Sequence, residues 1–347
     1  MATTNLLAKI TAVLFAGTLV TIILVYANDF LIPLAFGALF ALFTQPVNKF
    51  LEHKGLSNFI ISCVAVLIIS LAFIILGAAV AHQITSFTSP QNQLRAKLEQ
   101  KLDQVQHIIE TKLAISPTGQ TEYLKARAKS FLESSGNLIV QIISSATGGL
   151  MSFLLIFVYL FLFVYYKNHL YKFLLYSTDA SYHATLETIV LQAKQVTVHY
   201  LWGMTLVALI LTGITFIELF FIGIPYPFLW AALAGLLNCV PYVGIIISFA
   251  LPAITALVTD DSLRSFILVA ACFAFNQFLE SNILRPSIIG SQLHINALAS
   301  LVTVVAGGLI WGIPGLILFM PLLGIIKVIC DNTVPLKPIS YLIGRDQ

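Results

Sequence analysis

The chain has 347 residues, of which 59% are hydrophobic and only 10% are charged, and its mean hydropathy is +0.94. A soluble domain carries about 25% charged residues, so this composition excludes an ordinary soluble globular protein. The 18 basic and 15 acidic residues nearly cancel and form no basic tract of the kind that binds nucleic acid. The chain is therefore expected to have the lipid bilayer as its solvent.

Eight apolar segments are long enough, at about 20 residues, to cross a bilayer as helices. They lie at roughly 9–27, 30–48, 58–82, 147–167, 201–223, 227–258, 264–284 and 297–329. The first two are separated by Asn28 and Asp29 alone, which predicts a tight helical hairpin. The sixth and eighth are longer than one crossing requires and contain glycine and proline, so each either spans once or is a broken or re-entrant helix. The predicted fold class is an all-α integral membrane protein with about eight transmembrane helices.

Two polar stretches divide the chain into predicted domains. Residues 1–82 hold the first three membrane helices. Residues 83–146 carry 7 of the 18 basic residues and 5 of the 15 acidic residues. Their apolar positions recur at three- and four-residue steps, which predicts an amphipathic helical hairpin outside the bilayer that packs on itself or on a neighbouring subunit. Residues 147–347 form a C-terminal transmembrane domain with a cytoplasmic helix at 168–200.

Lysine and arginine residues in the short loops predict the orientation of the chain in the membrane. With the amino terminus inside, only Arg285 falls in a short outer loop. The residues on the cytoplasmic side are then Lys9, Lys49, Lys54, Lys167, Lys172, Lys194, Arg264, Lys327, Lys337 and Arg345. Both termini are therefore expected in the cytoplasm. The first apolar segment is expected to be retained as a span, because it is long for a signal peptide and lacks a convincing cleavage site.

A helix breaker interrupts the sixth apolar segment. Pro241 cannot donate a backbone hydrogen bond, so a helix kinks or ends there. Backbone carbonyls that are freed at membrane depth must be satisfied by protein, water or substrate. The break is either a packing kink or part of a binding site, since transporters build such sites from broken helices. The candidate pathway residues in this segment are Asn238, Pro241, Tyr242 and Gly244.

A second polar cluster occupies the end of the seventh segment. Its members are Asn276, Gln277, Glu280, Asn282 and Arg285. A carboxylate inside a span is costly and normally faces the interior of the helix bundle. Glu280 could carry a proton, coordinate a cation, or form a structural ion pair with Arg285 near the outer boundary. Glu218, the other acidic residue within a span, lies towards the outer end of its segment, where a solvated interfacial role is favoured over a role in coupling.

Glycine and proline residues with structural roles are concentrated near the last apolar segment. They are Pro286, Gly290, Gly307, Gly308 and Gly312. Glycine lets two helices approach closely or lets the chain turn. The chain contains no P-loop, no GxSxG elbow and no HExxH motif, and its four cysteines form no metal-binding pattern. No cofactor, catalytic residue or metal site is therefore expected, and enzymatic activity is not predicted.

Several motifs between about residues 200 and 325 together resemble those of one family of permeases. They are Tyr200-Leu201-Trp202-Gly203, Gly223-Ile224-Pro225-Tyr226, the run from Gly235 to Gly244, and the series Gln277, Glu280, Asn282, Pro286, Ile288 and Gly290. Gly307-Gly308, Gly312, Gly315 and Pro321 complete the pattern. The chain resembles the autoinducer-2 exporter family. One departure is Ala297 after Asn296, where the family commonly has proline.

The resemblance implies a bacterial cytoplasmic-membrane transporter that forms a homo-oligomer. Members of the family are linked to export of autoinducer-2, and some to sodium/proton antiport. The leading prediction is a secondary transporter that exports a small polar molecule along the broken sixth segment and the polar face of the seventh. Two alternatives are an Na⁺/H⁺ antiporter, in which Glu280 exchanges protons for sodium, and an oligomeric membrane scaffold or channel.

Overall fold

A computed structural model describes residues 2–88, 150–238, 243–259, 263–289 and 295–345. Within these ranges the chain is helical almost throughout and contains no β-strand, so the predicted all-α fold class is confirmed. The predicted extramembrane hairpin at 83–146 lies outside the described residues, except for its first few residues. The division into domains at 82 and 146 stays a prediction.

The helices of the described residues follow one another with short connections. They are α1 (Ala2–Tyr26), α2 (Asn28–Phe43), α3 (Gln45–His53), α4 (Asn58–Thr88), α5 (Leu150–Tyr165), α6 (Lys167–Tyr176), α7 (His183–Ile222), α8 (Pro227–Leu237), α9 (Val243–Thr259), α10 (Arg264–Leu279), α11 (Ala297–Trp311), α12 (Ile313–Asn332) and α13 (Lys337–Ile343). A π-helix, Glu280–Ile289, continues α10 directly. Single 3₁₀ turns lie at Ala180–Tyr182 and Val334–Leu336.

Four segments of the described chain are long and apolar enough to cross a bilayer, and two sharply bent helix pairs bring the number to six. The four are Asn58–Ala78, Ala180–Ile222, Arg264–Ile289 and Ile313–Asn332. Other apolar helices are shorter. Helix α8 has 11 residues, which extend about 16 Å at 1.5 Å per residue. This is about half of the roughly 30 Å hydrocarbon thickness.

The first two helices do not form the predicted hairpin. The chain direction changes by 88° between them, whereas a hairpin reverses it. Ala27 is the only residue between the helices, and Leu31 N donates a hydrogen bond to Ala27 O across the junction. Two antiparallel helices need a connection of about 2–5 residues. Asn28 and Asp29 do not supply one, because they form the first turn of α2.

Helix α7 is continuous over 40 residues. It therefore joins most of the predicted cytoplasmic helix at 168–200 to the next span without a break. At 1.5 Å per residue its length is about 60 Å, which is about twice the hydrocarbon thickness of a bilayer. One half of α7 is thus long enough to cross the membrane while the other half extends beyond it.

The chain divides into two compact units. The first contains the described residues of 1–70, 150–202 and 290–347, and the second contains those of 71–149 and 203–289. Cores of the first unit are formed by Ile61, Ala65, Ile69, Leu160 and Val164, and by Leu39, Trp311 and Leu318. The core of the second unit is formed by Leu219, Ile224, Leu229, Trp230, Ala253, Ala256 and Val269.

The last apolar segment is a helical hairpin in the first unit. Gly312 alone joins α11 to α12, with φ 62° and ψ −138°, a conformation that is open almost only to glycine. The two helices touch at glycines, because a Cβ on Gly315 would lie 1.9 Å from Gly307 O. The 297–329 segment therefore folds back on itself.

The two ends of this hairpin meet at the C-terminal tail. Asn296 caps α11 by accepting a hydrogen bond from Ala299 N. Its Nδ2 donates to the carbonyls of Leu342 and Gly344, at 2.8 and 2.9 Å. The residue before α11 and the residues after α12 thus lie at the same end of the hairpin.

A second, shorter hairpin in the second unit consists of α8 and α9. At its closed end, a Cβ on Gly244 would lie 1.8 Å from Leu237 O. Further from that end, Leu229 of α8 and Ala253 of α9 belong to one core. The two helices are therefore antiparallel, and the 227–258 segment also folds back.

Helix α7 and the α10–π segment run antiparallel in the second unit. Gly203, early in α7, lies against Ile289, since a Cβ on Gly203 would be 3.0 Å from Ile289 Cγ1. Further along α7, Glu218 accepts a hydrogen bond from Asn276 at 2.6 Å. Residues later in α7 thus contact residues earlier in the α10–π segment, so the two segments run in opposite directions.

This antiparallel packing corrects the predicted sides of two arginines. A single crossing by 227–258 would have made α7 and α10 parallel, with Arg264 inside and Arg285 outside. Arg285 instead lies towards the end of the unit that contains Gly203, and Arg264 lies towards the opposite end. The prediction was wrong because it counted a hairpin as one crossing.

Candidate functional site

A cavity of about 370 Å³ lies within the second unit, between α7, the α8–α9 hairpin and α10. Its apolar wall consists of Leu211, Ala234, Ile246, Phe249, Ala270, Phe273 and Ala274. Its polar lining consists of Thr215, Asn238, Ser248, Asn276, Gln277 and Glu280. A mainly apolar pocket with a few polar groups is typical of sites that bind small molecules.

Glu280, which is buried and lines this cavity, forms an ion pair with the half-exposed Arg285. Nε and Nη2 of Arg285 each lie 2.6 Å from Glu280 Oε1. In an α-helix, two residues five apart point about 140° away from each other. The i→i+5 winding of the π-helix brings them to one side. Of the roles considered for Glu280, the structure shows the ion pair.

Asn238 at the end of α8 is the second partner of Glu280. In the amide orientation that satisfies both of its polar atoms, Asn238 Nδ2 donates to Glu280 Oε1 at 2.8 Å and to Oε2 at 3.2 Å. A buried carboxylate is tolerated only when it is paired and hydrogen-bonded. Glu280 therefore has its charge compensated, and it links the α8–α9 hairpin to the π-helix.

Asn276 lies one turn before Glu280 and contacts α7. It is 6% exposed, and its Nδ2 donates to Glu218 Oε2 at 2.6 Å and to Thr215 Oγ1 at 3.2 Å. Its Oδ1 has no hydrogen-bond partner among the described residues. A buried acceptor left without a donor costs about 1–3 kcal/mol. Asn276 belongs to the lining of the cavity, but this oxygen has almost no accessible surface.

The hydrogen-bond partner of Glu218 was not predicted. Glu218 lies near the end of α7, as expected, but it is half-buried and hydrogen-bonded to Asn276. Thr215 and Glu218 are three residues apart and therefore share one face of α7. That spacing was visible in the sequence, but the helix that meets this face was not.

The remaining predicted polar residues are arranged in different ways. Gln277 lines the cavity and donates to Ser281 Oγ at 3.0 Å. Asn282 is exposed, and its Nδ2 donates to Phe278 O at 2.9 Å. Asn282 is therefore not brought together with the cavity residues.

The predicted glycine and proline positions are divided between the two units. In the second unit, Gly244 lies at the turn of the α8–α9 hairpin and Pro286 lies within the π-helix. Gly307, Gly308 and Gly312 belong to the α11–α12 hairpin of the first unit. Pro241, Tyr242 and Gly290 lie outside the described residues. Within the described part of the chain, no group of three His, Cys, Asp or Glu side chains is arranged to hold a metal ion.

Apolar helices, short hairpins and a polar-lined cavity within one unit are features of polytopic membrane transporters. The chain matches the AI-2E family transporter profile over residues 10–335. It therefore belongs to this family, and the resemblance seen in its motifs is confirmed.

The relatives cover the chain to different extents. YhhT of Escherichia coli strain K12 is 25% identical over 321 residues, which are 92% of this chain and 89% of YhhT. YrrI of Bacillus subtilis strain 168 is 36% identical over 129 residues, 37% of this chain and 36% of YrrI. Both carry provisional names as transport proteins. The AI-2 transport protein TqsA of Escherichia coli strain K12 is 27% identical over 146 residues, 42% of each chain.

Proposed function

We propose that the cavity in the second unit binds a small polar molecule that this permease exports across the bacterial cytoplasmic membrane. The observation that carries the proposal is the cavity itself, in which hydroxyl, amide and carboxylate side chains interrupt a mainly apolar wall. Membership of a transporter family supports a transport role for such a site.

The chemistry of the cavity favours an uncharged polar ligand. Glu280 already has Arg285 and Asn238 as partners, so its charge is compensated. The other polar side chains of the lining carry hydroxyl or amide groups, which can donate and accept hydrogen bonds. Phe249 and Phe273, which meet edge to face at 5.7 Å, would cover the carbon skeleton of the ligand.

The size of the cavity restricts the ligand further. A volume of about 370 Å³ lies near the lower end of the roughly 300–1,000 Å³ range of small-molecule pockets. The name of TqsA assigns AI-2 to that relative. AI-2 is therefore the first substrate to test with this chain.

The corrected helix packing keeps the proposed orientation in the membrane. Exchanging the sides of Arg264 and Arg285 still leaves ten basic residues of the short loops on one side and one on the other. By the positive-inside rule, the ten lie in the cytoplasm. We propose a multi-pass protein of the cytoplasmic membrane with both termini inside, which assembles as a homo-oligomer.

Antiport through Glu280 has less support than substrate binding. A proton- or sodium-exchanging carboxylate must be free to change its partner, whereas Glu280 is held by a guanidinium and an amide on different elements. Glu280 is better suited to fixing the cavity wall.

AI-2 export from intact cells tests the proposal. An Escherichia coli strain that lacks TqsA would express the full chain, and AI-2 in the medium would be followed over time. Gln277→Leu should lower the export rate about three- to ten-fold, because Gln277 lines the cavity and one hydrogen bond is worth about 0.5–1.5 kcal/mol. Asn282→Leu is the matched control, since Asn282 is exposed and does not line the cavity.

The variants must be compared at equal amounts in the membrane. Wild-type export by Gln277→Leu would show that the cavity is not the binding site. Equal AI-2 in the medium with and without the chain would exclude AI-2 as the substrate. A comparison of all small metabolites in the two media would then identify another substrate.

A further inference from the structure

Three lysines from three helices of the first unit lie around a single carboxylate. The Nζ of Lys167, at the start of α6, forms an ion pair with Glu52 of α3. The half-buried Lys194 of α7 is close enough to Glu52 and Lys167 to interact with both electrostatically. Lys49, about one turn before Glu52 on α3, interacts with Lys194 in the same way. These four residues are called the lysine cluster below.

The packing of α3 beside α7 holds the lysine cluster together. Trp202 Nε1 donates a hydrogen bond to Phe43 O at 3.1 Å, and the two rings stack with their centroids 4.6 Å apart. Lys49 follows Phe43 in the chain, across the start of α3, whereas Lys194 precedes Trp202 on α7. The two helices therefore run antiparallel from this contact, and Lys49 comes to lie near Lys194.

Neighbouring carboxylates do not neutralise the lysine cluster. Asp331 of α12 forms an ion pair with Lys327, and Glu187 of α7 accepts a hydrogen bond from a tyrosine of α6. Within the described ranges of the chain, neither Lys49 nor Lys194 forms an ion pair. Like charges repel each other, and they do so more strongly where the side chains are partly buried. An anion bound between the lysines would relieve this repulsion.

Aromatic side chains place the lysine cluster at the membrane surface. Tyr165 and Tyr166 are exposed and come directly before Lys167. Tyrosine and tryptophan are concentrated at the boundary between membrane and water. From the exposed Trp202 to its end, α7 extends about 30 Å, which is the hydrocarbon thickness of a bilayer. Lys194 lies on the other side of Trp202, in the part of α7 that extends beyond the membrane.

We propose that the lysine cluster binds the phosphate of an anionic phospholipid. Basic pockets between membrane helices bind such head groups, and a lysine ammonium offers a phosphate oxygen three hydrogen-bond donors. The acyl chains of the lipid would lie beside Trp202, on the bilayer side of the cluster. This site goes beyond the proposed function, because it belongs to the first unit and needs no transported substrate.

Tryptophan quenching by brominated lipids tests the proposal. The full chain would be reconstituted in phosphatidylcholine vesicles, with a rising fraction of either phosphatidylglycerol or phosphatidylcholine that carries dibrominated acyl chains. Bromine quenches a tryptophan that it contacts. Trp202 is 42% exposed, whereas Trp230 and Trp311 are 1% and 8% exposed, so the quenching reports mainly on Trp202. Brominated phosphatidylglycerol should reach half-maximal quenching at the lower lipid fraction, by about five-fold for each unpaired lysine.

Neutral variants of the unpaired lysines should reduce this preference for phosphatidylglycerol. Lys49→Gln and Lys194→Gln should each lower it about five-fold. Lys172→Gln is the matched control, because Lys172 is exposed on α6 and is not part of the lysine cluster. Lys194→Arg keeps the positive charge and should keep the preference, which separates loss of charge from misfolding of a half-buried position.

Two results would overturn the proposal. A preference that is unchanged in both Lys49→Gln and Lys194→Gln would show that the cluster does not bind the lipid. An equal loss in Lys172→Gln would show that basic residues attract the lipid wherever they lie on this surface. Glu52→Gln should have the opposite effect and raise the preference, because it frees Lys167 from its ion pair; a lower preference in this variant would also count against the site.

Inorganic phosphate tests the other source of the same chemical group. Potassium phosphate and potassium chloride at equal ionic strength should weaken the preference for phosphatidylglycerol equally, because screening depends on ionic strength. A preference that is lost in phosphate and kept in chloride would assign the lysine cluster to a free phosphate ion, and would overturn the assignment to a lipid.

Discussion

Removal of the Arg285 guanidinium should destabilise the fold by leaving a buried charge without its counter-ion. The Glu280 side chain is 5% exposed, whereas that of Arg285 is 45% exposed. Breaking a buried ion pair costs about 3–5 kcal/mol, and breaking an exposed one costs about 0–1 kcal/mol. With one buried and one half-exposed partner, Arg285→Met should lower the free energy of unfolding by about 2–3 kcal/mol.

A double-mutant cycle separates this charge effect from lost packing. Glu280→Gln alone should cost about 1–2 kcal/mol, since a neutral amide replaces the charge and keeps one acceptor. The double variant should cost little more than Glu280→Gln, because a neutral residue 280 does not need the guanidinium. The interaction free energy of the cycle should then be about 2 kcal/mol.

Tryptophan fluorescence during denaturant unfolding of the purified protein in detergent would give the four free energies. Trp230 belongs to the core of the same unit and reports on its unfolding. Single-variant losses that add to within about 0.5 kcal/mol would refute the reasoning. They would show that Arg285 does not neutralise Glu280, so the π-helical winding would have no electrostatic role.

Two further predictions concern the hairpins. In a variant without native cysteines, Thr188→Cys and Ser287→Cys should each react with a thiol reagent that cannot cross the membrane. Because α7 and the α10–π segment are antiparallel, both cysteines should be labelled from the same side of the membrane. Labelling from opposite sides would contradict this packing. Gly315→Ala should destabilise the chain by more than the roughly 1–3 kcal/mol of ordinary overpacking, since its Cβ would meet a backbone carbonyl. Gly213→Ala is the matched control in thermal unfolding, because a Cβ there meets open space, and it should be neutral or stabilising.

Properties that depend on neighbouring residues were predictable from the sequence. The third apolar segment, predicted at 58–82, is the start of α4 (Asn58–Thr88), since an uninterrupted apolar run of that length has few other structures in a bilayer. The direction of the chain after a glycine was not predictable in the same way. Whether 297–329 crosses once or folds back depends on the contact between Gly307 and Gly315, and the composition of the segment is the same in both cases.

The same distinction applies to the candidate site, where local spacing was predictable and contacts between helices were not. The Asn276–Glu280 face followed from helical spacing, and an ion pair between Glu280 and Arg285 was one of the roles considered. The geometry of that pair requires a π-helix, and no pattern in the sequence predicts one. The Asn276–Glu218 hydrogen bond joins residues 58 positions apart, and it depends on helix packing that no local pattern encodes.

The end of the α11–α12 hairpin that lies opposite the Gly312 turn has a consequence for how the protein is inserted into the membrane. No charged residue lies between Ile295 and Ile326, and the two ends of the hairpin lie together. Its insertion therefore transfers no charge across the bilayer, which would cost about 2.5–3.5 kcal/mol for each lysine or arginine at the bilayer centre. The bonds from Asn296 to Leu342 and Gly344 form only after residues 342–344 have been synthesised. The two ends of the hairpin are thus joined after both of its helices have been made.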